Sequence, residues 1–385
     1  MTRLGRRMTS QWGSRTTVSS TTDRRQALAG ADFVLTTIAV GGYTTWRQDQ
    51  DIPARHGYHG HSVDTVGPGG LFRGLRLIPP LIDVCRDIES VCPSALLINY
   101  SNPMAGICRA VKKASKVRVV GLCTVGFLPA QVGRYLGIDP SRVGVISAGV
   151  NHWVWALKVM VDGQDFTEQF KAKMRERAND AWVRSSVELM EIFGAWPFPG
   201  ANHVAEFFPY FYGPGDDDRS DERYRTRQGH DFNAEMAKSR KQRALLEAQA
   251  EGTEPLGHQP PEAAGEAVRI LVSIWGDGRT VHYVNIPNGG LVDNLPPQAI
   301  VEIPALADAS GVRGLKVGPL PDSVAGLMAA RCAYYELLAD AALQRSRRVA
   351  LHCLMSDPLT ASIPQAQACV EEMFAAQTEF LPGFA

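Results

Sequence analysis

The sequence predicts an α/β protein in which a parallel β-sheet is covered by helices on both faces. Short apolar runs alternate with longer helical patterns from residue 24 to about residue 150. Several of these runs are rich in β-branched residues and contain or end in glycine, which is typical of strands buried on both sides. Strands that alternate with helices need right-handed crossovers, and such crossovers produce a parallel sheet.

The elements follow a regular order up to about residue 150. Residues 1–25 have the basic, Ser-containing composition of a transit peptide, but we interpret them as the end of a surface helix that leads into a short strand. We predict helices over 24–28, 77–91, 104–115 and 129–136, and strands over 17–21, 32–39, 95–100, 117–122 and 143–149.

The regular alternation of strands and helices ends after residue 151. We predict strands over 155–161, 280–286 and 299–303, and helices over 169–192, 240–251 and 323–348. The segments 213–233 and 251–265 are polar and rich in charge, Gly or Pro, so we interpret them as solvated connections rather than lids. We therefore expect two domains, one over 1–150 that contains the parallel sheet and an α+β domain over 151–385.

Composition limits the class of protein. The chain has 385 residues, of which 45% are apolar, so it can bury a large core. Its 40 basic and 40 acidic residues leave no net charge to attract nucleic acid or an anionic membrane, and a small-molecule partner is favoured. The seven cysteines are not closely spaced and no secretory segment precedes them, so we expect reduced thiols and a cytoplasmic location.

Two metal-binding side chains follow predicted strands. Cys123 comes directly after the run 117–122, and His152 follows the run 143–150. In open parallel sheets ligands bind outside the carboxyl ends of the strands, where both side chains are expected. One thiolate and one imidazole are too few for a closed structural zinc site. They favour an open metal site that substrate oxygens and water complete.

Polar and glycine-rich segments end two other strands. Asn102 precedes Pro103, which disfavours helical dihedrals and holds the amide extended at the sheet edge. Val40, Gly41 and Gly42 end the strand 32–39, and glycine there allows close approach of a ligand to the backbone. Asn-Pro and Gly-Gly are also ordinary turn sequences, so neither motif identifies a site alone.

Taken together, these motifs resemble the family 4 glycoside hydrolases, and most closely the branch of the α-galactosidases and α-galacturonidases. The resemblance extends over nearly the whole chain and in the same order. It implies an N-terminally truncated Rossmann-like sheet, followed by an α+β domain like the C-terminal half of lactate and malate dehydrogenases. It also implies a homodimer or homotetramer. The matching segments are 22–34, 52–70, 99–103, 121–123, 149–153, 285–290, 294–296 and 301–304.

The resemblance implies an unusual hydrolysis, which departs from the two-carboxylate mechanism of most glycosidases. In this family NAD⁺ removes a hydride from C3 of the sugar, and the C2 proton becomes acidic beside the new ketone. A tyrosine removes that proton, the aglycone leaves by elimination, water adds and the hydride returns. A divalent metal, usually Mn²⁺, holds the C2 and C3 oxygens as a Lewis acid.

The resemblance also assigns residues to roles. Cys123 and His152 correspond to the metal ligands, although a thiolate and an imidazole also suit Fe²⁺, Co²⁺ or Ni²⁺. Asp64 corresponds to an acidic catalytic position near the metal. We assign substrate contacts to Asn102, Asn151 and Asn288, and cofactor contacts to Val40, Gly41, Gly42 and Asn102.

Two residues depart from the family pattern. Thr124 follows Cys123, where members carry a histidine or an aspartate, so the usual sign of substrate class is missing. Phe207 stands at the expected place of the base, and we therefore assign the base to Tyr210, with Tyr212 as the alternative. A uronic acid would need a cation for its carboxylate; the arginines considered are Arg47, Arg55 and Arg73.

The third departure concerns the dinucleotide-binding segment. A strand, a glycine-rich turn, a helix and a second strand usually begin such a fold, and none precedes Thr17. We expect that the sequence begins too late or is a natural fragment, that two central strands are missing and leave a gap in the sheet, and that NAD binds poorly.

Two other functions remain open from the sequence. An NAD-dependent 2-hydroxyacid dehydrogenase shares the half-domain, but it requires a catalytic His and a carboxylate-binding Arg. Net production of NADH with a hydroxyacid would identify it. An inactive family member is suggested by Thr124 and Phe207.

Overall fold

Three short parallel strands form one half of the sheet. They are β1 (Phe33–Thr36), β2 (Leu96–Asn99) and β3 (Arg118–Gly121), and each pairs in parallel with the next. The computed structural model describes residues 1–58, 64–123, 127–180, 182–211, 232–257 and 265–384. β2 is buried along its whole length, as expected for a strand covered on both faces. The predicted α/β class with a helix-covered parallel sheet is confirmed.

The other half of the sheet is antiparallel. The strands run in the order β1-β2-β3-β8-β9-β4-β5-β6, with β10 on β9 and β7 on β5. The hairpin of β8 and β9 therefore joins the parallel strands to the hairpin of β4 and β5. The bounds are β4 (Val143–Val150), β5 (Trp153–Val161), β6 (Gln164–Asp165), β7 (Trp196–Phe198), β8 (Thr280–Pro287), β9 (Ile300–Asp308) and β10 (Gly311–Gly314).

The prediction that β4 is a parallel strand is wrong. β4 runs antiparallel to both of its neighbours, β5 and β9. Its first half alternates between buried Val143 and Val145 and exposed Gly144 and Ile146, which is the pattern of a strand solvated on one face. The short segment Asn151–His152 then connects it to β5 as a hairpin.

Helices cover the sheet and extend the C-terminal half. The long α4 packs against α5 and α12, and the 42–55 segment, which we did not predict as helical, forms α3. The bounds are α1 (Thr2–Gln11), α2 (Arg24–Leu28), α3 (Gly42–Arg55), α4 (Gly67–Val91), α5 (Met104–Ala114), α6 (Leu128–Leu136), α7 (Thr167–Arg175), α8 (Arg184–Phe193), α9 (Ala201–Ala205), α10 (Phe232–Glu251), α11 (Glu266–Trp275), α12 (Asp322–Gln344), α13 (Arg347–Met355) and α14 (Ile363–Ala376).

Several predicted elements differ in extent. The helix predicted over 169–192 is two helices, α7 and α8, and the helix predicted over 323–348 ends at Gln344 because Arg345 adopts left-handed dihedrals. The strand predicted over 17–21 does not form. The gap was expected between this strand and β1; since the strand does not form, β1 is the first strand of the sheet, and β1, β2 and β3 pair directly. Most of the predicted loop 213–233, as well as residues 258–264 of the other loop, lies outside the described residues.

The sheet is continuous across residue 150, because Gly149 of β4 pairs with Glu302 of β9. The division into domains at that residue stays a prediction. Within the described ranges, no helix is both long enough and apolar enough to cross a membrane.

Candidate active site

The turn between β4 and β5 carries the first candidate ligand. His152 has a φ of 67°, a left-handed conformation that is uncommon for residues other than glycine. The side chain is nearly buried, and its Nδ1 lies 3.1 Å from the hydroxyl of Thr65. A hydrogen bond at one ring nitrogen fixes the imidazole and leaves Nε2 as the nitrogen for a ligand. The strained turn thus directs His152 into the protein.

Two residues that the sequence analysis missed complete a cluster with His152. His203 lies on α9 and Glu206 directly follows that helix, and their ligand atoms and that of His152 lie within 4.8 Å of one another. The rings of His152 and His203 stack with centroids 4.9 Å apart, and Glu206 is fully buried. Two imidazoles and a carboxylate suit a divalent transition metal. The His-x-x-Glu spacing was the signal in the sequence, because residues three apart share a helix face.

Cys123 follows β3 and lies near the buried carboxyl group of Glu302. Burial, together with the neighbouring Cys123 thiol, raises the pKa of Glu302 to about 8, against the lowering effects of His152 and of hydrogen bonds from Asn151 and Asn285. Cys123 and His152 therefore both lie close to one buried carboxyl group. The structure brings the two predicted metal ligands to one region, and their role as ligands stays a prediction.

A row of polar side chains crosses the centre of the sheet beside this cluster. Asn285 of β8 stands directly opposite Glu302 of β9, and Glu302 in turn pairs with Gly149 of β4. The Nδ2 of Asn151 donates to Glu302 Oε2 at 3.3 Å. Asn151 was predicted as a site residue, whereas Asn285 and Glu302 were not. Polar residues among the apolar residues of β8 and β9 were the available signal.

Asn102 and Asp64 meet at a shared arginine. Arg73 Nε donates to the backbone carbonyl of Asn102 at 3.1 Å, and Arg73 also forms an ion pair with Asp64. Asn102 Oδ1 is buried, and no donor reaches it from the described part of the chain. Asn102 therefore offers a hydrogen-bond acceptor, as its predicted substrate and cofactor contacts require.

The arginines considered for a uronate each pair with a carboxylate. Arg73 pairs with Asp64, Arg47 with Asp51 and Arg55 with Glu372. Their charges are thus already balanced within the protein. A carboxylate on the substrate would have to compete with these pairs.

The amide of Asn288 serves its own loop. Its Nδ2 donates to the carbonyls of Val292 and Leu295 at 3.0 and 2.9 Å, and its Oδ1 accepts from Val292 N at 2.7 Å. These bonds use both ends of the amide to close the connection between β8 and β9. Substrate contact by Asn288 stays a prediction, and this bonding does not support it.

The aromatic segment after α9 contains Phe207, which stands at the expected place of the base, and Tyr210, which was assigned as the base. Phe207 is buried, with its ring 5.2 Å from that of Trp153 and its backbone carbonyl bound by Arg331. Tyr210 is 62% exposed and its ring contacts Phe208. The hydroxyl of Tyr210 is therefore open to solvent. Thr124 and Tyr212 lie outside the described residues.

The predicted cofactor-binding glycines form the start of α3. Gly41 has a φ of 80° and precedes the helix, Gly42 begins it, and the Val40 carbonyl accepts from the Thr45 hydroxyl at 3.0 Å. No described atom would meet a side chain at Gly42 within 4 Å, so the backbone there is accessible. In contrast, the Gly67 amide at the start of α4 donates to Asp357 at 2.9 Å. Of these two helix starts, only that of α3 has an exposed glycine, since Gly42 is exposed and Gly67 is buried.

Family models match nearly all of the chain. The model of the family 4 glycosyl hydrolases matches residues 1–131, and the model of their C-terminal domain matches residues 147–360. A Bacillus subtilis (strain 168) protein named 6-phospho-β-glucosidase is 30% identical over 99% of this chain and 87% of its own length. An α-galactosidase of the same strain is 30% identical over 95% of this chain and 85% of its own length.

Solved structures share the fold. The crystal structure of a Bacillus subtilis protein described as a glucosidase superposes with a TM-score of 0.83 at 28% identity, over 94% of this chain and 86% of that one. A 6-phospho-α-glucosidase from gut microorganisms, solved with NAD and Mn²⁺, gives a TM-score of 0.84 at 22% identity, over 100% and 89% of the two chains.

Proposed function

Because the chain belongs to family 4 of the glycosyl hydrolases, we propose that it hydrolyses O-glycosidic bonds of α-galactosides or α-uronides with NAD and a divalent metal. The single observation that carries the proposal is the convergence of metal-binding and acceptor side chains beside one buried carboxyl group. His152, Asn151 and Cys123 all lie next to Glu302. Family motifs account for the cofactors, and the site chemistry supports the metal.

The donor set fits a divalent metal such as Mn²⁺. His152, His203 and Glu206 already lie close enough to share one ion. A carboxylate with imidazoles is a better match to Mn²⁺ than a thiolate with one imidazole, since Mn²⁺ prefers oxygen ligands. We therefore propose His152, His203 and Glu206 as metal ligands. Cys123, which lies near Glu302, is a further candidate.

The open backbone at the start of α3 fits a cofactor phosphate. The first amides of a helix have no partner within the helix and favour an anion. Gly42 permits close approach there, and Val40 precedes the glycines in the connection from β1. When bound, NAD supplies a reversible hydride acceptor and the metal supplies Lewis acidity.

The protein's own residues bind and orient the sugar. The buried carbonyl oxygens of Asn102 and Asn151 accept from sugar hydroxyls. Tyr210, which is exposed, is the proposed base for the C2 proton. Asp64, held by Arg73, is the proposed acidic residue near the metal. We further propose a cytoplasmic homodimer or homotetramer.

Cleavage of p-nitrophenyl α-D-galactopyranoside tests this function. We expect release of nitrophenol that requires Mn²⁺ and NAD⁺, stops with EDTA, and slows when the sugar carries deuterium at C2 or C3. Metal-independent cleavage without an isotope effect would contradict the proposal. Net NADH production from a 2-hydroxyacid would instead identify a dehydrogenase, and absence of cleavage across aryl α-galactosides and α-galacturonides would favour an inactive family member.

Substitution of His203 tests the metal ligands. We expect His203→Ala to weaken Mn²⁺ binding by at least about tenfold, because a metal site loses at least this much when its ligands are not held. Electron paramagnetic resonance of free Mn²⁺ gives the affinity directly. His352→Ala, an exposed histidine on α13, is the matched control and should bind Mn²⁺ like the wild type. Equal affinities in both variants would remove His203 from the site.

A further inference from the structure

Glu302 is a buried carboxyl group within the candidate site. It is 1% exposed, and the fully buried Asn285 stands directly opposite it in the β8–β9 hairpin. Directly opposed residues of an antiparallel pair point to the same face of the sheet, so the amide and the carboxyl group are held together by the strand register. Asn151, also fully buried, reaches the same group from the β4–β5 turn.

The carboxyl group determines which way both amides face. Glu302 Oε2 accepts from Asn151 Nδ2 at 3.3 Å, and the Asn285 side chain also hydrogen-bonds to Glu302. Asn285 Nδ2 lies 3.5 Å from the Gly121 carbonyl as well. An oxygen that accepts must face an NH₂ group rather than a carbonyl, so each asparagine turns its NH₂ group towards Glu302. The amide carbonyls consequently face away from it.

Those carbonyls are left without donors. The Oδ1 atoms of Asn151 and Asn285 and the Oε1 of Glu302 are buried, and no hydrogen-bond donor reaches them from the residues that the structure describes. Asn102 Oδ1 has the same property. Buried acceptors without partners are costly, since each forfeits a hydrogen bond that water would have supplied. A ligand rich in O–H groups satisfies such a set, whereas an anionic group is repelled by it.

We propose that Glu302 is a positioning residue that orients Asn151 and Asn285 so that their carbonyl oxygens read the neutral hydroxyl edge of a sugar. The inference rests on the proposed glycosidase function and deepens it. It places any carboxylate or phosphate of the substrate away from this edge. Glu302 acts through the asparagines and does not itself need to touch the reacting atoms.

Exchange of donor and acceptor between the two side chains tests the proposal. Glu302→Leu removes both carboxyl oxygens, so no acceptor holds the NH₂ groups of Asn151 and Asn285, and either amide can turn a donor towards the sugar. Asn151→Asp places two carboxyl groups together. In the double variant Glu302→Gln/Asn151→Asp, the new amide at position 302 can donate to the new carboxylate at position 151. This exchange restores the hydrogen bond, the acceptor facing the sugar and the total charge.

We expect each single variant to raise KM for p-nitrophenyl α-D-galactopyranoside about tenfold, the loss of one hydrogen bond. The double variant should recover most of that loss, and its Mn²⁺ affinity should stay near the wild-type value. Glu336→Leu, the same substitution at an ion pair on α12, is the control and should leave KM unchanged. A recovery in thermal stability without recovery of KM would show a merely structural role and overturn the proposal.

Three other outcomes would overturn the inference, and they distinguish its failure from that of the proposed function. Unchanged KM in Glu302→Leu, in an enzyme that cleaves the galactoside, overturns this inference and leaves the proposed function intact. A parallel loss of Mn²⁺ affinity in the single and double variants makes Glu302 a metal ligand, which also overturns it. A wild-type protein that cleaves neither aryl α-galactosides nor aryl α-galacturonides, and that binds neither free sugar by calorimetry, overturns the proposed function and the inference together.

Discussion

Two buried carboxyl groups, Asp357 and Glu302, are bonded in opposite ways. Asp357 Oδ1 accepts from Arg331 at 2.6 Å and from Leu359 N at 3.0 Å, and its Oδ2 accepts from Gly67 N at 2.9 Å. Glu302 accepts from the amides of two asparagines, and no described donor reaches its Oε1. Both carboxyl groups belong to residues that are at most 2% exposed.

The difference separates a structural polar network from a functional one. Buried carboxylates that stabilise a fold have all their acceptors satisfied, because an unpaired buried charge is costly. Asp49, which pairs with Arg76 and accepts from Gln377, follows the same rule. Glu302 departs from it, and departures of this kind concentrate at functional sites. Both oxygens of Asp357 and of Asp49 are bonded, whereas Glu302 Oε1 and the Oδ1 atoms of Asn151 and Asn285 beside it lack a described donor.

The largest expected effect comes from breaking the satisfied network. Arg331→Ala should lower the free energy of unfolding by about 3–5 kcal/mol, because it leaves Asp357 buried without its cation and the Phe207 carbonyl without a donor. Urea denaturation followed by circular dichroism measures the change. Arg313→Ala, which removes an exposed partner of Asp308, is the control and should cost about 1 kcal/mol or less. Similar losses in both variants would contradict the comparison.

A smaller effect is expected at Asn288, which was predicted to contact the substrate but whose amide bonds within its own loop. Asn288→Ala should lower the free energy of unfolding by about 1–3 kcal/mol, since it leaves the buried Val292 amide without its acceptor. KM for the galactoside should stay at the wild-type value. A raised KM with unchanged stability would instead move Asn288 from the structural network to the substrate site.

The smallest effect concerns a partly exposed carboxylate. Although burial acts to raise it, hydrogen bonds and charges from Arg109 and Lys113 hold the pKa of Glu336 below its ordinary value of 4.5. A lowered pKa stabilises the folded state above pH 4.5, and this contribution is lost as the pH falls through the folded-state pKa.

Glu336→Gln should therefore cost about 1 kcal/mol or less near neutral pH. The difference from the wild type should shrink as the pH falls below about 4, where the wild-type carboxylate protonates. Urea denaturation at a series of pH values measures both. A difference that grows on acidification would contradict the assigned sign.

Local pattern predicted the parallel half of the sheet well. β2, α5 and α6 lie within one or two residues of their predicted bounds, because their apolar spacing reports burial directly. The antiparallel setting of β4 was missed, since an eight-residue apolar run with two glycines fits either kind of sheet. α3 was not predicted as a helix, because two glycines precede or begin it and Pro53 lies inside it.

The residues of the candidate site were likewise predicted only in part from the sequence. The sequence by itself determined that Cys123, Asn151 and His152 follow apolar strands, and that its motifs are those of a family 4 glycosidase. Only the tertiary structure placed His203, Glu206 and Glu302 with them, from segments about 50 and 150 residues away along the chain. Strand register and packing between distant segments decide such contacts, and neither is encoded in local periodicity.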